Sequence, residues 1–196
     1  MKLLSPLKPL LMFLFLAACS SGAIGLLSVA SGPANQVDVT QLPTMRVVGL
    51  VIQVPETLVV SEANSYKPVA DIVWRGDPPG NRYEQVKAIF ETGIARGVAD
   101  FSGDLPVVLH IEVVRFHSVT ERTRYTIGGV HEIDFFLTVT NGRTGDVVVP
   151  RYLISSRLKA FGGEQALAAE AAGQTQKVRI LAHLAELIKQ ELTGVP

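Results

Sequence analysis

Residues 107–113 read Val-Val-Leu-His-Ile-Glu-Val, and this alternation of apolar and mixed side chains decides the fold. Successive side chains of a β-strand point to opposite faces, so an apolar residue at every second position predicts a strand with one covered face. The alternation returns over residues 133–139, and a short turn at 141–145 separates it from the apolar run 147–149. Strands 131–140 and 146–156 are therefore expected to pair as an antiparallel hairpin.

The residues upstream of this hairpin predict two further extended segments. Residues 45–60 are rich in β-branched side chains and predict a strand, in which Pro55 creates an edge or bulge before residues 57–61 continue it. A second extended segment is expected over residues 69–74. Residues 75–81 follow as a turn dense in glycine and proline.

Two helices are expected on either side of the antiparallel strands. Asn81 and Glu84 have the spacing of a capping box, and an apolar stripe then recurs at helical spacing as far as Phe101, with Gly103 and Asp104 as the end. The stripe consists of Tyr83, Val86, Ile89, Phe90, Ile94, Val98 and Phe101. Gly93 and Gly97 lie on or near this face and suggest a close backbone approach to a sheet.

The C-terminal helix is predicted over residues 178–192, with Gly194 as its stop. The alanine-rich residues 165–172 either extend it upstream or form a separate piece broken off at Gly173. Residues 120–129 are expected to form an exposed hairpin tip. The element order predicts an α+β fold, a two-layer sandwich in which a mostly antiparallel sheet carries two helices on one face.

The N-terminal residues carry the clearest functional signal. Leu16, Ala17, Ala18 and Cys19 close an apolar run, residues 10–18, that follows the two cations Lys2 and Lys8. About nine apolar residues fit a signal-peptide core, whereas a helix that crosses a bilayer needs roughly 20. The stretch resembles the lipobox of bacterial lipoproteins. The resemblance implies cleavage before Cys19 and lipidation of its sulfur, while the alternative is an ordinary secretory signal with a chance cysteine.

With cleavage before Cys19, the chain is predicted to have three parts. They are a signal peptide at residues 1–18, a lipidated cysteine with a flexible tether at 19–43, and a single α+β domain at 44–196. The apolar cluster at residues 24–29 leaves open that the tether docks on the domain or lies at the membrane interface. Several acyl chains, such as palmitate, anchor a protein far more firmly than one. Ser20 stands where an aspartate would favour inner-membrane retention, so the resemblance implies a periplasm-facing outer-membrane lipoprotein.

Composition narrows the partners of the mature chain. Cys19 is the only cysteine, so an intramolecular disulfide is excluded and stability must come from an ordinary core. Removing Lys2 and Lys8 leaves 16 basic against 18 acidic residues, a net charge of about −2. This near-neutral balance gives no electrostatic reason to expect nucleic acid. The expected partners are the membrane, through lipid on Cys19, and an envelope protein.

No group of residues predicts catalysis, a metal or a cofactor. His110 and Glu112 share one strand face, but a third ligand would have to come from His117 or His131 across strands, and a solvated polar face explains the pair equally well. Ser155 and Ser156 lack the flanking glycines of a nucleophile elbow. The pair at residues 162–163 lacks the lysine and hydroxyl of a phosphate-binding loop.

Two surfaces are candidates for recognition. Tyr66, Trp74, Arg75 and Asp77 surround a proline-rich turn and predict a recognition surface, with structural packing of Trp74 over a helix start as the favoured alternative. A basic fringe in the predicted turns could meet lipid headgroups, although solvated turn residues explain it as well. The fringe consists of Arg122, Arg124 and Arg143.

Residues 55–79, with the runs Glu56–Asn64 and Ala70–Pro78, resemble an uncharacterised family of bacterial envelope lipoproteins defined by a domain of unknown function. The element order also resembles the auxiliary lipoproteins of ABC-type transport systems that move lipid between membranes, and small lipopolysaccharide-assembly lipoproteins share it. The expected function is a non-enzymatic, membrane-anchored protein-interaction module. An auxiliary lipoprotein of an ABC-type lipid or envelope transport system is the alternative, and a hydrolase is a distant third.

Overall fold

The computed structural model describes residues 45–194. Five strands and four helices follow one another along this part of the chain. They are β1 (Met45–Gln53), β2 (Ile72–Val73), α1 (Arg82–Val98), β3 (Leu105–His117), α2 (Glu121–Arg124), β4 (Gly129–Asn141), β5 (Val147–Ala160), α3 (Gly163–Ala171) and α4 (Gln176–Thr193).

All five strands form one sheet in the order β1-β3-β4-β5, with β2 pairing β3 beyond the end of β1. Strands β1 and β2 run parallel to β3, Met45 facing Leu105 and Val73 facing His117. Helix α1 supplies the crossover that parallel pairing requires. The pairs β3–β4 and β4–β5 are antiparallel. The predicted hairpin and the α+β class with a mostly antiparallel sheet are therefore confirmed.

One face of the sheet is buried in the core. On β3 the side chains of Leu109, Ile111 and Val113 are at most 2% exposed, whereas His110 and Glu112 between them are partly exposed. This is the alternation that the sequence predicts. From α1, Phe90 packs edge-on against Phe135 of β4, with 5.4 Å between the ring centroids. Helix and sheet therefore share one core.

Helix α1 begins as predicted and ends earlier than predicted. The side chain of Asn81 accepts hydrogen bonds from the backbone N–H groups of Tyr83 and Glu84, which fixes the first turn. The helix ends at Val98, and the expectation that it continues to Gly103 is wrong. Phe101 still packs against the core, but from the loop that follows.

The two glycines of α1 face another helix and not a sheet. A Cβ at Gly93 would lie 2.9 Å from the Cβ of Leu184, and one at Gly97 would overlap the backbone of Ala185. Both contacts come from α4, so α1 and α4 approach each other closely at these positions. The predicted close approach is real, but its predicted partner is wrong.

Four helices replace the two that were expected. Gly173, at φ +73°, separates α3 from α4, because this left-handed conformation is easily adopted only by glycine. The short helix α2 lies where an exposed hairpin tip was predicted, and its Thr123 is buried. The two-layer arrangement with both helices on one face stays a prediction.

The chain after Pro55 departs from the predicted strand. Leu58 closes a turn by donating its N–H to the Pro55 carbonyl, and only an isolated bridge joins Val60 to Ile72. Proline lacks the N–H that a continued ladder would use, so the edge strand stops rather than resumes. The second extended segment likewise shrinks to the two residues of β2.

The proposed signal peptide, the tether and Cys19 lie outside the described residues, so the division at residues 18 and 43 stays a prediction. Within residues 45–194, none of the helices combines the length and apolar character needed to span a bilayer.

Candidate interaction surface

Trp74 is an interior residue. Its side chain is fully buried and meets Phe116 edge-on, with ring centroids 5.6 Å apart. The indole Nε1–H donates a 2.9 Å hydrogen bond to Asp77 Oδ2, which satisfies the one polar atom of the ring. A side chain at Gly76 would collide with the six-membered part of this ring. The packing role of Trp74 fits the structure, and Trp74 contributes no outer surface.

Arg75 and Asp77 belong to an ion-pair network rather than to an open surface. Arg75 pairs with Glu121 of α2, and its Nη1 donates to the Glu62 carbonyl at 2.8 Å. Asp77 Oδ1 accepts a 2.7 Å hydrogen bond from Lys177 of α4. Burial raises the pKa of Asp77, but the hydrogen bonds from Lys177 and Trp74 outweigh it and hold this pKa below its usual value. The network ties the loop to α2 and α4.

Arg82, the first residue of α1, is a second centre of this network. Its side chain is buried and donates to both carboxylate oxygens of Glu62, from Nε at 2.6 Å and from Nη2 at 2.9 Å. The hydrogen bond from Arg82 is the main reason that the pKa of Glu62 lies below its usual value. Glu62 is 20 residues away, and no local signal identifies it.

Tyr66 is the one predicted recognition residue with a large accessible area, at 48% exposure. The Arg122 guanidinium lies 4.5 Å above the centre of its ring. The backbone beneath is held to α2, because the hydroxyls of Thr120 and Thr123 donate to the carbonyls of Ser65 and Tyr66 at 2.8 and 2.6 Å. The exposed ring therefore stands on a fixed support.

Further apolar side chains are exposed around Tyr66. We call the five together the tip surface: Val59 (58% exposed), Tyr66 (48%), Val69 (100%), Ile127 (74%) and Val130 (45%). Two neighbouring grooves of about 450 and 310 Å³ lie among these side chains, and Lys67 lines both. Sequence reasoning named neither Val69 nor Ile127 as a recognition residue. Val69 begins a predicted strand, and Ile127 lies in the predicted exposed tip, where no pattern singles out an apolar side chain.

The tip surface lies at one end of the sheet. Strand β3 starts at Leu105, which pairs with Met45, and ends at His117, which pairs with Val73. Its 13 residues span about 40 Å at the usual rise of a strand. Met45, the first described residue, and the tip surface are therefore at opposite ends of β3.

The histidines considered as metal ligands have separate partners. His110 Nε2 lies 3.0 Å from the Thr140 hydroxyl, His117 Nε2 lies 2.9 Å from the Pro68 carbonyl, and Glu112 pairs with Arg151. No group of three or more potential ligands is brought together within residues 45–194. These side chains serve polar contacts along the sheet.

Two serine–histidine contacts occur in the fold. Ser118 Oγ lies 2.9 Å from His131 Nδ1, and Ser156 Oγ contacts His183 Nε2. Burial is the main cause that lowers the pKa of His131 to about 3, and burial also lowers the pKa of His183. Imidazoles with lowered pKa values are weak proton acceptors at neutral pH.

The predicted basic fringe does not form one surface. Arg122 and Arg124 both lie on α2, beside Tyr66 and Tyr125. Arg143 lies in the turn between β4 and β5, at the end of the sheet where Met45 begins β1. The three cations are therefore divided between opposite ends of the domain.

Residues 45–196 match the sequence model of a family of unknown function, DUF6778. Among solved structures, a DUF330 protein from Xanthomonas campestris is similar at 13% identity, with coverage of 78% of this chain and 86% of that one and a TM-score of 0.45. A minor lipoprotein from Acinetobacter baumannii is similar at 12% identity, with coverage of 79% and 95% and a TM-score of 0.29. A lipoprotein from Neisseria meningitidis is similar at 11% sequence identity. The match covers 66% of this chain and 92% of that one, with a TM-score of 0.25. No curated protein matches the chain.

Proposed function

The chain belongs to this family of unknown function, and from that premise we propose that it is a lipid-anchored envelope lipoprotein whose folded domain binds a protein partner and catalyses no reaction. The anchoring part of the proposal rests on Cys19, the sole cysteine, placed after Leu16-Ala17-Ala18 at the end of a short apolar run. The interaction part rests on the tip surface.

The tip surface is the observation that carries the interaction role. Its five apolar side chains surround two grooves, and Val69 is fully exposed although its neighbour Ala70 is buried. Contiguous exposed apolar area on a small domain typically marks a binding surface. The aromatic ring of Tyr66 and the cations Lys67 and Arg122 beside it are residue types common in protein interfaces. The surface is also at the opposite end of β3 from Met45, the first described residue.

The non-enzymatic part of the proposal is supported by the serine–histidine pairs. Nucleophilic catalysis by serine needs a base that accepts its proton and a third group that orients the base. The His131 ring is hydrogen-bonded to the Ser118 side chain, and the His183 ring to the Ser156 side chain. Within the described residues, no carboxylate is hydrogen-bonded to either ring. The low pKa of His131 also opposes a role as base.

Lipidation is tested by metabolic labelling with a radioactive fatty acid. The wild-type protein is expected to incorporate label and to partition into detergent, whereas Cys19→Ser is expected to remain unlabelled as an uncleaved or soluble form. Separation of the two membranes on a density gradient is expected to place the wild type in the outer membrane, as Ser20 implies. A wild-type protein without label would refute the anchor.

The interaction role is tested by photo-crosslinking in intact cells. A crosslinking amino acid at Val69 or Ile127 is expected to capture the same partner, identified by mass spectrometry. The matched control is Val147, which is 61% exposed at the start of β5 and is expected to capture no such partner. Absence of a product from Val69 and Ile127, or equal products from all three positions, would contradict the proposal.

The identity of the captured partner also decides between the proposal and its alternative. Subunits of an ABC-type lipid or envelope transporter would favour an auxiliary transport lipoprotein. That role would require an apolar groove between helix and sheet, whereas the space between α1 and the sheet is filled by the fully buried rings of Phe90, Phe116 and Phe135. A general interaction module therefore ranks first.

A further inference from the structure

A small cavity with both polar and apolar walls lies between α2, α3 and the first turn of α4. Its volume is about 20 Å³, which is room for about one water-sized group. The side chains that decide its chemistry are Arg124, His131, Glu170, Gln176 and Arg179. None of the five side chains of the tip surface lines this cavity.

Gln176 is the feature that points to a ligand. The residue is only 6% exposed and lines the cavity, yet neither its Oε1 nor its Nε2 has a hydrogen-bond partner within the described residues. The buried Nε of Arg124, also on the cavity wall, is likewise without a hydrogen bond. Buried polar atoms are nearly always paired, since an unpaired one loses its hydrogen bonds to water without replacement. The unpaired atoms belong to two residues that line one small space, which indicates a polar occupant.

The surroundings favour a negatively charged occupant. Gln176 is the first residue of α4, an 18-residue helix, and the N-terminus of a helix attracts anions. Arg179 lies one turn further on, where it donates to the Lys159 carbonyl at 2.7 Å and stacks on Phe161. Among the described residues no carboxylate forms an ion pair with Arg179.

His131 lies on the same cavity wall, and positive charges near it lower its pKa. Burial is the largest cause of its fall to about 3, and the charges of Arg179, His183 and Arg124 lower it further. An imidazole on the cavity wall is thus kept neutral in part by the two arginines. The cationic groups of the wall exceed the single carboxylate, that of Glu170.

Glu170 partly occupies the space that an anion would take. Its Oε1 lies 3.3 Å from the Nε of Arg124 without the angle of a hydrogen bond, and its Oε2 accepts a 3.3 Å hydrogen bond from the Tyr125 hydroxyl. Both contacts are long for a charged carboxylate, whose hydrogen bonds are usually about 2.7–2.9 Å. Glu170 is therefore an imperfect partner for Arg124.

Helix α3, which carries Glu170, is weakly held. Ala166 is the only buried residue among its nine. Gly163, at φ +53°, is its first residue, and Gly173, at φ +73°, follows its end; glycine adopts both conformations readily. A helix with one buried side chain and a glycine at either end can move as a unit at low cost.

We propose that Arg124, Gln176, Arg179 and the N-terminus of α4 form an oxyanion-binding site, which α3 covers and in which Glu170 occupies the place of the ligand. The ligand class is a phosphate or carboxylate group. On binding, the oxyanion displaces the Glu170 carboxylate, α3 moves outward, and the cavity enlarges beyond its present volume.

The test is a titration of the full-length protein in detergent micelles with inorganic phosphate, followed by NMR. The side-chain amide signal of Gln176 and the Nε–H signal of Arg124 are expected to shift together and to saturate. Glu170→Gln removes the competing charge and is expected to bind phosphate about fivefold more tightly, the effect of a partly exposed ion pair. Glu164→Gln, on the exposed side of the same helix, is the matched control and is expected to bind like the wild type.

Further variants and a second ligand complete the test. Gln176→Leu and Arg179→Gln are expected to weaken phosphate binding by at least about fivefold. A parallel titration with short-chain phosphatidylglycerol distinguishes a lipid headgroup from a free phosphate, because a shift with only one of them identifies the source. Unshifted Gln176 and Arg124 signals with both ligands, or equal binding by Glu170→Gln and Glu164→Gln, would overturn the proposal.

Discussion

Gly97 of α1 lies directly against Ala185 of α4, so closely that a Cβ on Gly97 would overlap the Ala185 carbonyl oxygen. The side chain of Ile188 closes the same contact from the next turn of α4. A glycine within a helix costs about 1 kcal/mol relative to alanine. The close approach of the two helices depends on this locally unfavourable residue.

Gly97→Ala is therefore expected to destabilise the protein, although alanine is the better helix former. The gain in helix propensity is about 1 kcal/mol, whereas forced separation of the packed helices costs roughly 2–4 kcal/mol, so the free energy of unfolding should fall by about 1–3 kcal/mol. Chemical denaturation followed by circular dichroism measures the free energy of unfolding. Thr92→Ala, exposed on the same helix, is expected to be neutral or slightly stabilising. Equal effects of the two variants would contradict the packing argument.

Trp74→Phe tests the interior role of Trp74. The change keeps an aromatic ring beside Phe116 but removes the indole N–H that donates to Asp77 and leaves a small void. The free energy of unfolding is expected to fall by about 1–2 kcal/mol. Calorimetry is the suitable measurement, because this is the only tryptophan in the chain. An unchanged stability, together with loss of the crosslinked partner, would instead support direct recognition by Trp74.

How far the sequence predicts the fold depends on whether a pattern is local. Alternation over residues 107–113 and 133–139 correctly predicts two strands, because a strand with one covered face requires it. Asn81 correctly predicts the start of α1, because its cap contacts are only two and three residues away. These features depend on neighbours that a sequence window contains.

The candidate site was predicted less well because its contacts are distant along the chain. Asp77 is held by Lys177, which is 100 residues away, and the backbone of Tyr66 is held by Thr123, which is 57 residues away. A window of sequence contains none of these relationships, so Tyr66 was identified as a surface residue while its apolar neighbours were not.

Asp77→Asn tests the ion pair with Lys177 through its pH dependence. The folded pKa of Asp77 is below its usual value of about 3.9, so the carboxylate stabilises the fold above that pH and this contribution is lost as the pH falls through the folded pKa. The variant is expected to be less stable by about 1 kcal/mol at pH 7. Once the pH lies below the folded pKa of Asp77, the two proteins should converge. Asp100→Asn, at an exposed position, is the control and should match the wild type throughout.

His131 provides a second test of the pH dependence of stability. As with Asp77, the stability is expected to fall as the pH falls, but over a different pH range. Its imidazole is buried with a pKa of about 3, whereas an unfolded histidine has a pKa of about 6.5. Between these values the unfolded state binds one more proton than the folded state. The stabilising contribution is therefore complete above pH 6.5 and declines as the pH falls toward 3, by up to about 1.4 kcal/mol per pH unit.

The measurement is the free energy of unfolding of wild type and His131→Gln between pH 4 and 7. Glutamine keeps an acceptor for the Ser118 hydroxyl but cannot gain a proton, so the variant should show a shallower decline with falling pH. NMR gives an independent reading, because the wild-type His131 ring signals should not titrate across this range. Parallel stability curves, or a ring that titrates near pH 6.5, would show that His131 is not held neutral and would remove the evidence it gives for a positive cavity.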